Sequence, residues 1–443
     1  MQPLILSIPG DFWDMQMYKG RLYLWHYDGR LSVYDWERLI ELAYPKAGRS
    51  LAVKAAWLRG NSLYNPDVLA VFDDPGFRKV LDSDFAELRA KAPVITPKLL
   101  NGALYGEQDN PVKELPTDTE IFSNILCLVT YDGFWSATAH RDNRRYPVSS
   151  RPQKRWDGKA YSASASHGRI ALSAGDDGLF EFDPRSRDDS PNNGNLYFPQ
   201  SNHRNGSVNQ LTGRHSSYAD WAFASVYSTS LVGESCLLAF RWQRDPAGSG
   251  RLRREFVREI DESEILQTGR VTGLSWGAGD KICGIDGAQL TVMRFVQKDV
   301  TEPETETPPA LLVSDRTSSP PGIVAKNHAE LPRRESPFGS VGSIPLTEEA
   351  DVIKAGLAHF GILLETSDQL HVYRSDNDVW SMAGPIVRWR TYPRAKHYEN
   401  HLHIIVQDAV HIVAFVHDYW QDQEEKIAGI SYRHQDRQKQ ATS

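Results

Sequence analysis

Residues able to do chemistry are few in this chain, and they are scattered. His401 and His403, two residues apart in HYENHLH, would share one face of a strand. Such a pair binds a divalent ion when a third ligand joins it, and His397 or Glu399 from the preceding turn could do so. Leu402, Ile404 and Val406 claim the opposite face as core, so the histidines are expected to face a neighbouring element or solvent, and no metal is expected. Cys127, Cys236 and Cys283 lie far apart in apolar runs and form no C-x-x-C pair, which suits small buried hydrophobes and excludes zinc held by cysteine pairs. The G-x-x-x-x-G-K-[ST] phosphate loop, the G-x-G-x-x-G turn, the H-E-x-x-H pair and the G-x-S-x-G elbow are all missing. No catalytic residue and no cofactor is therefore expected.

The other chemical signal is basic. RDNRRYPVSSRPQKRW places Arg141, Arg144, Arg145, Arg151, Lys154 and Arg155 beside Tyr146 and Trp156, and RLRREFVR supplies Arg251, Arg253, Arg254 and Arg258. Cations interleaved with aromatics can hold phosphates and stack bases. The whole chain opposes that use: 57 acids against 50 bases leave a net charge of −7. An acidic patch on a partner protein suits such a run better than nucleic acid does, and a plain solvated inter-blade loop suits it better still. The expected partner-binding set is Arg144, Arg145, Arg151, Lys154, Arg155 and Trp156.

The elements that must carry these residues repeat along the chain. In KGRLYLWHYDGRLSVYDW, Leu22 and Leu24 alternate with other residues, Asp28-Gly29 turns the chain, and Leu31 and Val33 resume the alternation, as in a hairpin. An acid preceded by apolar residues four and six positions earlier returns at Leu126, Leu128 and Asp132, at Ile170, Leu172 and Asp176, at Ile362, Leu364 and Asp368, and at Leu402, Ile404 and Asp408. Ile282 with Asp286 is a weaker copy, and SLVGESCLLAFRW a degenerate one with Gly233-Glu234 at the turn. The closest turn acids, Asp368 and Asp408, are 40 residues apart, the length of one four-stranded unit. A small twisted sheet cannot bury both faces alone, but several arranged radially bury each other. The reading is an all-β chain, residues 1–443 forming a single β-propeller of about seven four-stranded blades, each copy being an inner pair of strands or a middle hairpin. Joining of LILSI at the start to KIAGISYRH near the end would close the ring.

The segments SVYDW and FEFDP resemble the blade-closing strand of WD-repeat-like propellers, although the Gly-His dipeptide and regular Trp-Asp ending of true WD repeats are absent, as is the S-x-D-x-G-x-T-W box of sialidase-type propellers. The resemblance implies a rigid interaction platform and carries over no catalytic residue.

Between the first two copies, 44–115 is too long for a blade and reads as an insertion after the first blade. Asp74 caps a helix expected over 75–91 with Pro75 at its first position. Phe77, Val80, Leu81, Phe85 and Leu88 form its apolar stripe, expected to pack on the propeller. A shorter helix is expected over 35–43. Residues 298–349, rich in Pro, Ser, Thr and Glu, read as a flexible loop between blades with ALLV as its one strand-like run, and 183–217 as a second loop. The chain has 40% hydrophobic residues but no apolar run near 18, so no spanning helix is expected. Its start is a poor signal peptide, and three cysteines suit a reducing, cytoplasmic setting. The expected function is a non-enzymatic protein-interaction scaffold within a larger complex. The alternatives are an enzyme or ligand-binding propeller with its site at the central funnel, or a nucleic-acid accessory factor using the arginine-rich loops.

Overall fold

Apart from one two-stranded hairpin, the strands form seven four-stranded antiparallel sheets, six of them with their strands in chain order and the seventh completed by the N-terminal strand. The computed structural model describes residues 2–416, 426–427 and 430–431, except 46–49, 61–64, 73, 141–142, 184–207, 223, 231–233, 245–251, 263, 265–274, 279–280, 287–288, 296–337, 347–351, 359, 376–377 and 396. Blade 1 comprises Phe12–Tyr18, Arg21–His26, Arg30–Asp35 and Leu104–Asp109. Blade 2 comprises Asp118–Phe122, Ile125–Thr130, Gly133–Thr138 and Gln153–Trp156. Blade 3 holds Ser162–Ser166, Arg169–Ser173, Leu179–Phe182 and Val208–Thr212, and blade 4 holds Tyr218–Ala222, Ser225–Thr229, Ser235–Arg244 and Leu252–Asp261. Blade 5 runs through Ser275–Ala278, Lys281–Asp286, Gln289–Phe295 and Phe338–Pro345, and blade 6 through Lys354–Ala358, Gly361–Glu365, Gln369–Ser375 and Asp378–Ala383. Blade 7 joins Arg388–Thr391, His401–Val406 and Ala409–Ala414 to the N-terminal strand Leu4–Pro9. First strands of blades 1 to 6 touch in succession, Lys354 of blade 6 reaches Trp389 O of blade 7 at 3.5 Å, and the first strand of blade 7 touches that of blade 1, so the ring is a closed seven-bladed β-propeller with the first strands innermost.

The repeated hairpin is the second and third strand of every blade. Period-2 alternation sends adjacent side chains to two different blades. In blade 2, Leu126 and Leu128 pack with Trp25 and Val33 of blade 1, whereas Cys127 and Val129 pack with Leu172 and Phe180 of blade 3. Blade 4 repeats the division: Val226 and Leu238 face blade 3, and Tyr227 and Leu237 face Ile282 and Met293 of blade 5. The first-to-second-strand turns of blades 1–3 have positive φ at both central residues: Lys19 and Gly20, Ser123 and Asn124, His167 and Gly168. That is the type I′ geometry whose twist matches a tight hairpin.

Ring closure differs from the sequence reading. LILSIP pairs with Ala409–Ala414, Leu6 opposite Ile412 and Ile8 opposite Val410, while Lys426–Ile427 pairs with Ile430–Ser431 as a separate hairpin. The alternating apolar face of AVHIVA matches that of the N-terminal strand, which KIAGISYRH does not. Two loop boundaries also move. Phe338–Pro345 and Val208–Thr212 are the fourth strands of blades 5 and 3 and lie inside the segments expected to be loops. Gly and Ser hide the alternation in FGSVGSIP, and only Leu211 is apolar between Val208 and Thr212. The run ALLV lies outside the described residues.

The helical insertion enters after the third strand of blade 1 and returns to its fourth. It contains α1 (Trp36–Ala43), α2 (Leu51–Trp57), α3 (Pro66–Phe72), α4 (Pro75–Ala90) and α5 (Pro97–Gly102). Asp35, Ser50, Asp74 and Thr96 cap α1, α2, α4 and α5, each side chain accepting from a backbone N–H three residues on. Leu81, Phe85 and Leu88 of α4 are buried and Phe77 partly so, in the cluster that holds Leu4, Leu6, Ile8 and Ile412; Val80 is left 61% exposed. The clasp is also polar. Ala56 O at the end of α2 accepts from Asn400 Nδ2 at 3.0 Å and lies 2.9 Å from His401 Nε2, and Arg89 donates to Gln2 O at 3.0 Å. Helices that belong to blade 1 by sequence thus cover the seam where the two chain ends meet in blade 7. Among the described residues no helix is long and apolar enough to cross a membrane.

Leu6→Ala and Ile412→Ala are each expected to cost about 3 kcal/mol in denaturant unfolding, because both side chains are fully buried. As directly opposed partners they should fall short of additivity in the double variant, and a fully additive cycle would contradict the observed register.

Candidate functional site

The innermost strands bring together charges that lie far apart in sequence. Arg390 of blade 7 donates from Nε to Asp14 Oδ1 at 2.9 Å and from its terminal nitrogen to Asp14 Oδ2 and Asp118 Oδ1, both at 2.7 Å. Asp14 belongs to blade 1 and Asp118 to blade 2, so one guanidinium ties three blades. Arg388 lies 3.4 Å from Asp14 and 3.7 Å from Asp118. Arg394, just past the first strand of blade 7, spans to Asp220 of blade 4 at 2.7 Å and to Ser164 Oγ of blade 3 at 3.0 Å. The acids also tie each blade to the next: Asp14 accepts from Thr119 Oγ1, and Asp118 from Ala163 N, both at 2.9 Å.

Burial shapes the protonation of this network. Desolvation alone would raise the Asp14 carboxyl, but Arg388 and Arg390, with hydrogen bonds from Arg390 and Met15, hold it below its ordinary value of 3.8. Glu120 goes the other way. Desolvation, with Asp118 and Asp220 nearby, outweighs Arg394 and Arg390 and pushes it up to about 7. Desolvation likewise brings Lys354 of blade 6 down to about 8, with Arg390 and Arg388 adding to the effect and Glu365 opposing it. Its ammonium lies 4.1 Å from the Trp389 ring centre. The arrangement satisfies charges internally and holds blades in register; it places no nucleophile against a base.

None of Asp14, Asp118, Glu120, Asp220, Arg388, Arg390 or Arg394 stands out in the sequence reading. A signal was present for some. Asp14, Asp118, Ser162 and Lys354 each lie fourteen residues before a turn acid, Asp28, Asp132, Asp176 and Asp368, at one place in the repeat. Each pairs with the residue three before that turn acid.

His401 and His403 do share a side of their strand, with ring centres 5.8 Å apart. Both are fully buried under the helical insertion rather than solvated, His401 against Trp36 and Trp57 and His403 within 3.2 Å of the Tyr392 hydroxyl. Desolvation holds His403 well below its ordinary value, so it is neutral in the fold. Among the described residues no group of three or more His, Cys, Asp or Glu is placed to hold a metal ion. Cys127 and Cys236 are free and buried between blades, and burial pushes the Cys236 thiol up to about 12. The second arginine run is built into a strand: Arg254 is buried between blades 3 and 4, pairs with Glu181 and lies 3.5 Å from the Phe240 ring centre.

The first arginine cluster occupies the connection from the third to the fourth strand of blade 2. Arg144, Arg145 and Arg151 are exposed, with Arg145 over the Tyr146 ring and Arg144 5.7 Å from the Tyr105 ring centre. Lys154, Arg155 and Trp156 are in the fourth strand itself. Lys154 is paired to Asp132 and Asp157, and Trp156 packs on Phe180 of blade 3 with ring centres 4.3 Å apart. The six therefore divide into an exposed basic trio and a strand committed to its own blade and the next.

Antiparallel alternation gives the ring two chemically different ends. Third-to-fourth-strand connections all leave at one end, and in blades 1, 2, 3 and 5 they are long: 36–103, 139–152, 183–207 and 296–337. The second-to-third-strand turns emerge at the other end, and Asp28, Asp132, Asp176, Glu234, Asp368 and Asp408 are all exposed there.

No protein-family model and no curated protein matches this chain. It is similar to the solved structure of the computationally designed protein Ika8, with 8% identity over 93% of this chain and 98% of that one at a TM-score of 0.42. It is similar to the WD40 β-propeller domain of Doa1, with 8% identity over 94% and 97% at 0.44, and to BamB from Moraxella catarrhalis, with 8% identity over 90% and 80% at 0.38. Likeness of this degree assigns no function to the chain, whose propeller is established by its own seven sheets.

Asp14→Asn leaves Arg390 under-compensated and is expected to cost about 3 kcal/mol at neutral pH. The wild-type advantage is present above the ordinary aspartate value and lost as pH falls through the lowered folded one, so unfolding curves of the two proteins should converge in acid. Glu120→Gln carries the opposite sign. Between the ordinary glutamate value and about 7, the folded chain keeps a proton that the unfolded chain has released, so wild-type stability falls as pH rises through that window. The variant should melt above wild type at pH ~8 and together with it at pH ~4; a melting difference that does not change with pH would refute the assignment.

Proposed function

We propose that the protein is a non-enzymatic interaction scaffold, a subunit of a larger cytoplasmic assembly, that binds an acidic partner surface at the end of the ring from which the long connections leave. The observation that carries this reading is the exposed trio Arg144, Arg145 and Arg151, held on a rigid ring at the same end as the helical insertion. Rigid presentation lowers the ordering cost of association, and arginine is the cation best suited to bidentate contact with carboxylates. Lys154, Arg155 and Trp156 set the base of the loop: Trp156 anchors the fourth strand against blade 3, and Lys154 is tied to Asp132 and Asp157. The ion pairs among the innermost strands support the same reading, because their charges are spent on blade-to-blade contacts.

Replacing Arg144, Arg145 and Arg151 together by serine is expected to leave the melting temperature unchanged, since all three are exposed. Quantitative affinity capture from the native host at about 0.15 M salt should show partner recovery reduced roughly ten-fold or more. Equal recovery by the two proteins removes this loop from the interface, and a wild-type chain that retains no reproducible partner overturns the scaffold reading.

A further inference from the structure

Blades 2 and 3 meet, at the end opposite the long connections, around a pair of tyrosines already holding an ammonium. Tyr131, in the second-to-third-strand turn of blade 2, is 59% exposed. Tyr161 comes from the connection into blade 3, and the two rings are 5.9 Å apart, nearly perpendicular at 80°. Lys159 places its Nζ 5.3 Å from the Tyr131 ring centre and 5.1 Å from that of Tyr161. Its side chain is otherwise exposed.

The pair is preformed rather than incidental. Tyr161 N donates to Ser173 O at 2.9 Å, which fixes the backbone beneath the ring. The ring itself rests on Gly175, whose φ is +63°; a Cβ there would lie 2.6 Å from Tyr161 Cε2. The glycine opening the AGDDG turn of blade 3 thus makes room for a tyrosine of the preceding connection. His215 flanks Tyr161 on another side, with ring centres 6.2 Å apart. Around the pair acids outnumber bases: Asp132, 60% exposed, and Asp157, 88% exposed, share Lys154 between them, and Asp176 is fully exposed.

We propose that Tyr131 and Tyr161 form a clamp for a lysine side chain from a basic segment of a partner protein, and that Lys159 fills this clamp in the free chain. The Tyr161 side chain hydrogen-bonds the Lys159 ammonium and the Tyr131 ring attracts it through its quadrupole, so the pair already stands where an ammonium fits. Asp132, Asp157 and Asp176 draw a positively charged segment to this end and repel an acidic one. Lys159 is exposed and belongs to a short connection, so it can swing into solvent when a second ammonium enters. This site lies at the other end of the ring from Arg144, Arg145 and Arg151 and selects the opposite charge. It neither depends on that loop nor fails with it.

The test is calorimetric titration of the full-length chain with a peptide of alternating lysine and glycine, and with the same peptide fully Nε-acetylated. Lys159→Ala empties the clamp and should bind the lysine peptide about three-fold tighter than wild type, with the acetylated peptide silent. In the Lys159→Ala chain, Tyr131→Ala and Tyr161→Ala should each give back about three-fold, while Tyr131→Phe, which keeps the ring, holds the gain. The proposal is overturned if Lys159→Ala binds no tighter than wild type, or if the tyrosine-to-alanine variants bind as well as their parent, since the acidic rim alone would then explain attraction. Binding of spermine without binding of the peptide also overturns it, as a small-cation site rather than a docking point for protein. All five proteins should share one melting temperature within about a degree, which separates loss of the clamp from loss of the fold.

Discussion

Every blade of this protein is apolar on both faces, and that constraint governs the rest. A strand such as Ile125–Thr130 sends Leu126 and Leu128 to one neighbour and Cys127 and Val129 to the other, so no blade can be dry without two others beside it. An open row of such sheets would leave two large apolar faces in water, at roughly 25 cal/mol per Å². Closure removes both ends at once. The closing blade is assembled from segments far apart in the chain, Leu4–Pro9 and Arg388–Ala414, which makes folding of the ring cooperative.

The helical insertion lies over that junction. Its tryptophans and the stripe Leu81, Phe85 and Leu88 bury the N-terminal strand from the outside, while Ala56 O engages Asn400 and His401 of the closing blade. At the axis, Arg390 and Arg394 of the same blade reach blades 1 to 4. Apolar burial outside and charge pairing inside thus converge on one seam. Buried ion pairs add little net stability, yet breaking one leaves an uncompensated charge, so they enforce register more than they add free energy.

Rigidity of this kind keeps the two ends of the ring chemically distinct without a moving part. Alternating strand direction sends the long connections, with Arg144, Arg145 and Arg151, to one end, and sends the turn acids with Tyr131 and Tyr161 to the other.

The repeat was legible from residue types alone, because an apolar–apolar–turn-acid spacing is a local property of each hairpin. The same holds for α4, whose Asp74 cap, Pro75 and apolar spacing are contiguous in the chain. Strands poor in apolar residues, Val208–Thr212 and Phe338–Pro345, were hidden because their place is set by the hydrogen-bonding edge of a third strand and not by their own alternation. The partner of LILSI and the meeting of Asp14, Asp118 and Arg390 belong to closure. Residues up to 410 positions apart (Leu4 and Ala414) become neighbours there, and no local pattern encodes which of many compatible pairings a closed ring will bring into reach. What the amino-acid order determined by itself was the wedge and, through its seven copies, the number of wedges; the seam and the charges that meet at the axis were decided by packing every wedge against two others.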